Sequence, residues 1–567
     1  MNDWRKLLGR MFWWIFGLIV FVDLILRRAY FLSVEPSKIG IYILSVLLEV
    51  TFFSILIQIL SPQIKKFKRL KFFSTLIISF VYVGILLSTW GFYLYFSRLP
   101  GVYGFTYVLE APEESYQLVC HSFFSPFVIL GLFIFVVTFF LFLKAAEPAF
   151  KKRHFKWVVL GFLGLIPVLN HNLLISTGTA LPVVDSVYGF VNAAVAKHRG
   201  TLLFRLQPRL LKNTDPQTNG PAPFNGILII NESLRKSSVS SYGYTRKTTP
   251  HLDGFLSQFG GQAYLFEHAF SNTIMTYFAM PSILSGKSTT EGINSMQSSQ
   301  LIYEEVKRLT GVRTALISSH SYLPGNFKAF IESKSLDFLW YRELENLPAY
   351  NNIGVDDKYV AEKFSSFLNQ LKENEKFFAI LHVNSTHYPY TVPESFKVFK
   401  GENDLRDTYD NSVLYLDFNL NKIFETLSAR NLTSSTWIMI TSDHAETLGE
   451  GGSNGHIGDF TVWNTNIPFI ITIPTDIHNL IKADLNNLTK NKYAITGNTD
   501  VVPTILDLYG LLDQPNKYKG KSLLTPIEKD RIYEIYNPPA ADLDEQIGIP
   551  RILNNKIYIE KVPVIKR

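Results

Sequence analysis

One cysteine in 567 residues, Cys120, leaves nothing for it to pair with inside the chain. An internal disulfide framework and any cluster of cysteine metal ligands are therefore excluded. Charge is also sparse: Asp, Glu, Lys and Arg make up 18% of the chain, against 47% hydrophobic residues. That balance excludes intrinsic disorder, in which too little apolar surface is buried to offset chain entropy. The net charge of +7 could suggest nucleic acid, but the basic residues do not gather on a soluble face, so no nucleic-acid partner is expected. At roughly 100–200 residues per domain, the length is a soft prior for two to four structural units, not one small fold.

Apolar residues are concentrated in the first third. A helix needs about 20 mostly apolar residues to cross a ~30 Å hydrocarbon core. Five windows are long enough: Met11–Leu26, Ile39–Leu60, Phe72–Phe96, Phe127–Leu143 and Trp157–Ile175. The first follows Arg5, Lys6 and Arg10 like a signal peptide, but no small-residue cleavage site follows it and four more spans do, so it reads as a signal anchor. Lys65, Lys66, Lys68, Arg69 and Lys71 lie between spans two and three, and Lys151, Lys152, Arg153 and Lys156 between four and five. Short basic loops stay in the cytoplasm. Five crossings from an inside N-terminus then place the rest of the chain outside it. Residues 1–180 thus read as a five-helix transmembrane domain. Residues 181–223 read as an interfacial helix, Val187–Leu211, followed by a linker rich in Asn, Pro, Thr and Gly, Asn213–Pro223.

From Phe224 to the end, residues 224–567, the pattern is that of a soluble α/β domain. Short apolar runs, Gly226–Ile230, Thr314–Ser318, Phe377–Val383, Trp437–Ile440 and Phe469–Ile473, alternate with helical stretches such as Val355–Lys372 and Asp410–Ala429. Buried strands separated by amphipathic helices predict a mostly parallel sheet with helices on both faces. In such sheets ligands bind beyond the carboxyl ends of the strands. Two ends carry chemistry: the run ending at Ile230 leads into Asn231-Glu232-Ser233, and the run ending at Thr441 into Ser442-Asp443-His444. A carboxylate at one end and an Asp-His pair at the other supply oxygen and nitrogen ligands suited to Zn2+ or Mn2+. Singly, each is a weak signal: an Asp after a strand is more often a helix cap than a ligand, and Glu232 alone could be a surface carboxylate.

A third segment, Ser271 through Thr276 and Pro281 to Gly286, ties them together. With it the chain resembles the alkaline phosphatase and sulfatase superfamily, and within it the membrane-bound phosphoethanolamine transferases. The matching stretches are Asn231–Arg235 continuing to Tyr242–Pro250, then Thr276–Gly286, His382–His387, Tyr409–Asp417, and Ser442–Glu450 with His456. Five amino-terminal spans before such a domain also resemble that family.

The resemblance implies an α/β catalytic domain of alkaline phosphatase/sulfatase-like fold and one or two ions of Zn2+, with Mn2+ as the alternative. Glu232, Thr276, Asp443 and His444 would be the metal ligands, and Thr276, five residues before Pro281, also the nucleophile, with Thr273 as the alternative. A metal suits this because it lowers the pKa of an otherwise weak hydroxyl nucleophile. His387 and His456 would meet the transferred phosphate or a second metal, or protonate the leaving oxygen. Glu446 would orient a ligand, or be an exposed carboxylate in a first helical turn, while Asp410, Asn411 and Asp417 would pack and cap. Sulfatases oxidise a cysteine or serine two positions before this proline; here the position is Ala279, which excludes that route.

The expected reaction moves phosphoethanolamine from phosphatidylethanolamine to lipid A, lipopolysaccharide or another envelope glycan through a phospho-threonine intermediate. The expected place is the bacterial inner membrane, with the catalytic domain in the periplasm. A glycerol-phosphate transferase of lipoteichoic-acid-synthase type and a membrane-anchored metal-dependent phosphatase are the alternatives. Two departures from the family stand out. Several members carry disulfides in the soluble domain, whereas no cysteine follows Cys120, and Ser318–Lys328 does not match the family's substrate-contacting segment.

Overall fold

In the computed structural model the chain divides into two compact units, Met1–Leu203 and Phe204–Arg567. The residues described are 220–562, apart from 352, 402–403, 451–453, 457–458, 538–545 and 555, together with 206–209 and scattered positions among the first 198. Most residues of the five expected spans fall outside the described residues; among those described, no helix is long and apolar enough to cross a membrane. In the first unit residues 83–90 are helical, and Trp90 Nε1 donates to the buried carboxylate of Asp23 at 2.9 Å.

The second unit is organised by one seven-stranded sheet. Its strands are β1 (Asn225–Asn231), β2 (Ala263–Leu265), β3 (Arg313–Ser318), β4 (Phe338–Trp340), β5 (Phe377–Val383), β6 (Thr436–Ser442) and β7 (Phe469–Thr472). Their order is β2-β7-β6-β1-β5-β3-β4. The pairs β6-β1-β5-β3-β4 are all parallel, and only β7 runs against its neighbours. Apolar runs carry no direction, so the reversal of β7 is invisible to hydrophobic pattern.

Along each strand successive side chains face opposite sides. Leu228, Ile230, Leu316, Ile380 and Met439 join one core, with Met280, Ile283 and Leu284 of α2 (Thr276–Ser285), Val306 of α3 (Ile302–Thr310) and Ile505 of α6 (Val501–Leu508). Ile227, Ile229, Ile317, Leu381 and Ile440 join the other, with Phe255 of α1 (Pro250–Ser257), Phe364 of α4 (Lys358–Leu368) and Leu416 and Phe424 of α5 (Asp404–Ala429). β1 is buried at every position because helices cover both faces, which is why it reads as an unbroken apolar run.

Polar residues of α5 do the capping and packing expected of them. The Asp417 carboxylate accepts the backbone N–H groups of His251 and Leu252 at 2.8 Å each, capping α1, which has no side-chain cap of its own. Asp410 accepts from Tyr244 and Arg246, and Asn411 Oδ1 accepts from the N–H groups of Val398 and Phe399.

The expected interfacial helix needs correction. Residues 189–195 are helical, but 206–209 are not. That stretch is part of the second unit and is bonded into it: Leu206 N–H donates to Gly325 O at 2.8 Å, and the buried Arg209 guanidinium makes two 2.7 Å contacts to Glu304. A helix would turn its backbone groups inward, whereas a non-helical segment leaves them free to bond a neighbour. A three-stranded antiparallel sheet, β8 (Ile535–Asn537), β9 (Gln546–Leu553) and β10 (Lys556–Val562), closes the chain beyond the last strand expected from sequence.

Candidate active site

Parallel pairing sets Asn231 of β1 beside Ser442 of β6, so the residues that follow, Glu232 and Asp443, emerge side by side at the carboxyl edge. Both are fully buried, as is His444. Asp443 is pinned through one oxygen, Oδ1, which accepts from Ser233 N–H at 3.0 Å and His444 N–H at 2.7 Å. Ser233 takes a positive φ of 60° at this corner. Ser442 Oγ accepts from Leu234 N–H at 2.8 Å, which ties the two strand ends together.

Thr276 reaches the same point as the first residue of α2. Its hydroxyl lies 3.0 Å from Glu232 Oε1 and 3.0 Å from His444 Nε2, and it is only half-buried, so a substrate can approach it. A helix N-terminus also directs unpaired N–H groups and the positive end of its dipole at anything negative placed there. The other end of α2 stops at Gly286, in the left-handed region at φ 69° and with no room for a Cβ between Tyr518 and Val502. Thr273, the alternative nucleophile, is instead fully buried and hydrogen-bonded to Asn537 Oδ1 at 2.6 Å.

Glu232, Asp443 and His444 each place a ligand atom within 4.8 Å of the others. Two of the carboxylate oxygens, Glu232 Oε2 and Asp443 Oδ2, are buried without a hydrogen-bond partner. Buried orphan acceptors are costly, and a cation satisfies them. His444 points the same way. Its Nδ1 sits 3.1 Å from the carbonyl of Ala445, so that nitrogen is the donor, and its Nε2 faces two carboxylates at 3.3 and 3.4 Å. Although burial disfavours the charged ring, the Asp443 and Glu232 carboxylates push its pKa up to about 10. Burial and the Glu232 charge push Asp443 up to about 6; burial acts the same way on Glu232, but the His382 and His444 rings that face its carboxylate outweigh it and hold that pKa well below the carboxylate range. The pocket holds excess negative charge that a proton on His444 balances, and a dication bound by the same atoms balances it equally well.

The other expected histidines line the opening. The ring of His456 is centred 4.1 Å from that of His444, and its Nδ1 faces Glu446 Oε2 at 3.3 Å. Glu446 is therefore buried and orients His456; it is not a free first-turn carboxylate. His387 lies 6.5 Å from His456, and its Nδ1 sits 2.7 Å from the Tyr388 carbonyl, which leaves Nε2 as an acceptor. Burial holds its pKa below the ordinary histidine value.

Two further histidines belong here that sequence assigned no role. His382 Nε2 and His320 Nε2 stand 3.6 and 3.8 Å from Glu232 Oε2, their rings stacked 5.2 Å apart. His382 opens the matching stretch that ends at His387, a signal that was present. His320 lies in the segment that departs from the family, where no pattern could point to it. Both loops are held by one buried carboxylate: Asp357 Oδ1 accepts from Asn384 N–H at 2.9 Å and from Ser319 Oγ, while Oδ2 accepts from Ser385 N–H at 2.8 Å. Gly354 completes the knot, because a Cβ there would collide with Asn384 and the Ser319 carbonyl.

The profile of the sulfatase family matches residues 225–511, half of the chain. Among curated proteins the chain is similar to the putative transferase YhbX of Escherichia coli, 28% identical over 222 residues, covering 38% of this chain and 37% of that one. It is likewise similar to the phosphoethanolamine transferase EptA of Helicobacter pylori, 26% identical over 238 residues, covering 40% of this chain and 42% of that one. The alignments thus span about two-fifths of the length of these relatives. In fold it resembles the integral membrane lipooligosaccharide phosphoethanolamine transferase A of Neisseria meningitidis, with a TM-score of 0.59, 19% identity, and coverage of 87% of this chain and 95% of that one.

Proposed function

The chain belongs to the sulfatase family, and from that premise we propose that it is a membrane-anchored phosphotransferase that moves phosphoethanolamine from phosphatidylethanolamine to lipid A or another envelope glycan. The observation that carries the reading is the placement of Thr276: a reachable hydroxyl at a helix N-terminus, 3.0 Å from both a buried carboxylate and a buried histidine. Ala279, buried where sulfatases keep the residue they oxidise, offers no group for sulfate-ester hydrolysis by that route. Relatives named phosphoethanolamine transferase support the donor. We read residues 1–180 as five membrane helices, 181–223 as the connection and 224–567 as the catalytic domain, with the catalytic domain in the periplasm and the anchor in the inner membrane.

Glu232, Thr276, Asp443 and His444 would hold Zn2+ or Mn2+, which when bound lowers the pKa of the Thr276 hydroxyl and offsets charge on phosphoryl oxygens. Thr276 releases its proton to solvent and attacks phosphorus as the alkoxide: the Oγ1–P bond forms and the P–O bond to diacylglycerol breaks. His456, held in place by Glu446, gives the departing oxygen a proton. In the second step His387 Nε2, kept neutral by burial, takes the proton of an acceptor hydroxyl, which attacks phosphorus; the Oγ1–P bond breaks, Thr276 leaves as the alkoxide, and the proton on His387 returns through solvent to His456. The positive end of α2 favours the phosphoryl group throughout.

Purified full-length protein loaded with Zn2+ tests the donor. With vesicles of phosphatidylethanolamine it is expected to release diacylglycerol, and with vesicles of phosphatidylglycerol it is not. Release from phosphatidylglycerol alone would move the assignment to glycerol-phosphate transfer. Turnover of lipid-free phosphate esters with neither lipid consumed would move it to a phosphatase.

A further inference from the structure

The family profile stops at residue 511, yet the loop that delivers the nucleophile is fastened by residues beyond it. Asn537, at the end of β8, is 4% exposed and accepts through Oδ1 from the Thr273 hydroxyl at 2.6 Å and, more weakly, from Ile274 N–H at 3.4 Å. One residue earlier, Tyr536 N–H donates to the Asn272 carbonyl at 2.8 Å. The same carbonyl accepts from Thr289 Oγ1 at 3.0 Å. Residues 272–274 are thus bonded along one edge to β8, and only Met275 lies between that anchor and Thr276.

The sheet that carries Asn537 also reaches the opposite rim. β8 pairs with β9, whose Gly548 lies against the Phe460 ring with no room for a Cβ, and Lys561 of β10 pairs with Asp459 at 2.7 Å. Phe460 follows His456 by four residues. One three-stranded sheet therefore grips both the nucleophile loop and the loop bearing His456.

We propose that Asn537 is a positioning residue for Thr276, its side-chain oxygen fixing the turn that brings Thr276 to the start of α2. The inference rests on Thr276 being the reacting group. Without this anchor, rotation about the backbone torsions of Ile274 and Met275 lets Thr276 shift by about an ångström, and misplacement on that scale costs on the order of 100-fold in rate. The role is distinct from catalysis: Asn537 reaches the reacting atoms only through its bonds to Thr273 and Ile274.

The paired variants Thr273→Val and Thr273→Ser separate the bond from the packing, since valine keeps the volume and serine keeps the hydroxyl. In the full-length Zn2+-loaded protein with phosphatidylethanolamine vesicles, Thr273→Val and Asn537→Ala are each expected to lower kcat by about 10- to 100-fold at unchanged KM. Thr273→Ser should restore kcat to within about threefold, and the double variant should be no slower than either single one, because they break the same bond. Hydrogen exchange of the backbone amides of 274–276 should quicken in Thr273→Val and not in Thr273→Ser, with metal content unchanged. That arm needs no turnover. If wild type transfers nothing from any lipid, the proposed function falls and the exchange result alone decides the anchor. Exchange and kcat indistinguishable from wild type in Thr273→Val would overturn the inference, as would equal damage from serine and valine. Should Asn537→Ala fail to fold, the Thr273 pair carries the test.

Discussion

Glu232, Asp443 and His444 stand at the ends of two hydrogen-bonded central strands, whereas His387 and His456 stand farther out on loops, and His320 on the turn that follows β3. The first group is held by the sheet itself. Its members are fully buried, and their positions follow from parallel register, so charge is placed with little freedom to relax. The second group is mostly buried but not sealed, and depends on side-chain knots: Asp357 for the loops of His320 and His387, Glu446 and the C-terminal sheet for that of His456. Strand ends suit a cation that must be held in place. Loops suit groups that must meet a substrate and let a product go.

The comparison can be broken from either side. The largest effect is expected at a strand end. Glu232→Gln removes charge from the buried pocket, and should reduce bound Zn2+ well below one per chain and activity by on the order of 10³-fold or more, read by metal analysis and diacylglycerol release. A fully loaded, active Glu232→Gln protein would remove the pocket's claim to be a metal site.

On the loop side the losses should be smaller and graded. His456→Gln is expected to slow transfer by about 10²- to 10³-fold as a lost acid catalyst. Glu446→Gln, which leaves the ring and removes only its orienting carboxylate, should slow it by about 10- to 100-fold. Metal content should hold in both. Equal losses would mean that Glu446 acts in its own right.

The smallest effect is a proton. His444 in the metal-free protein has its pKa raised from 6.5 to about 10 by the adjacent carboxylates, burial notwithstanding. A raised pKa stabilises the fold fully below about 6.5, and that contribution is lost as pH climbs toward 10. Metal-free protein should therefore lose thermal stability across that window, and loading with Zn2+ near pH 7 should release about one proton per chain, measured by calorimetry in buffers of different ionisation enthalpy. Uptake with no proton released would place the metal elsewhere.

Much of this division was legible in the sequence, and the reasons follow the same line. The five expected strands appear within a residue or two, because a strand covered on both faces must be an unbroken apolar run, and their ends led to Glu232, Asp443 and His444. Thr276, His387 and His456 came from motif resemblance, and the fold brings all of them to one place. What escaped was held by side chains and not by pattern. β2 and β4 are three residues long, too short for a period to show. His320 sits in Ser318–Lys328, where no motif was readable from sequence, and Asn537 lies some 260 residues from the hydroxyl it accepts, a distance no local signal spans.

The account rests above all on Thr276 as the group that carries the phosphoryl intermediate. Full-length protein and its Thr276→Ala variant, each incubated with Zn2+ and phosphatidylethanolamine vesicles, should be compared by intact mass and peptide mapping. Wild type is expected to gain on the order of 120 Da, one phosphoethanolamine group, on the peptide containing Thr276, and the variant to gain nothing. An equal gain in the variant, or a modified residue other than Thr276, would contradict it.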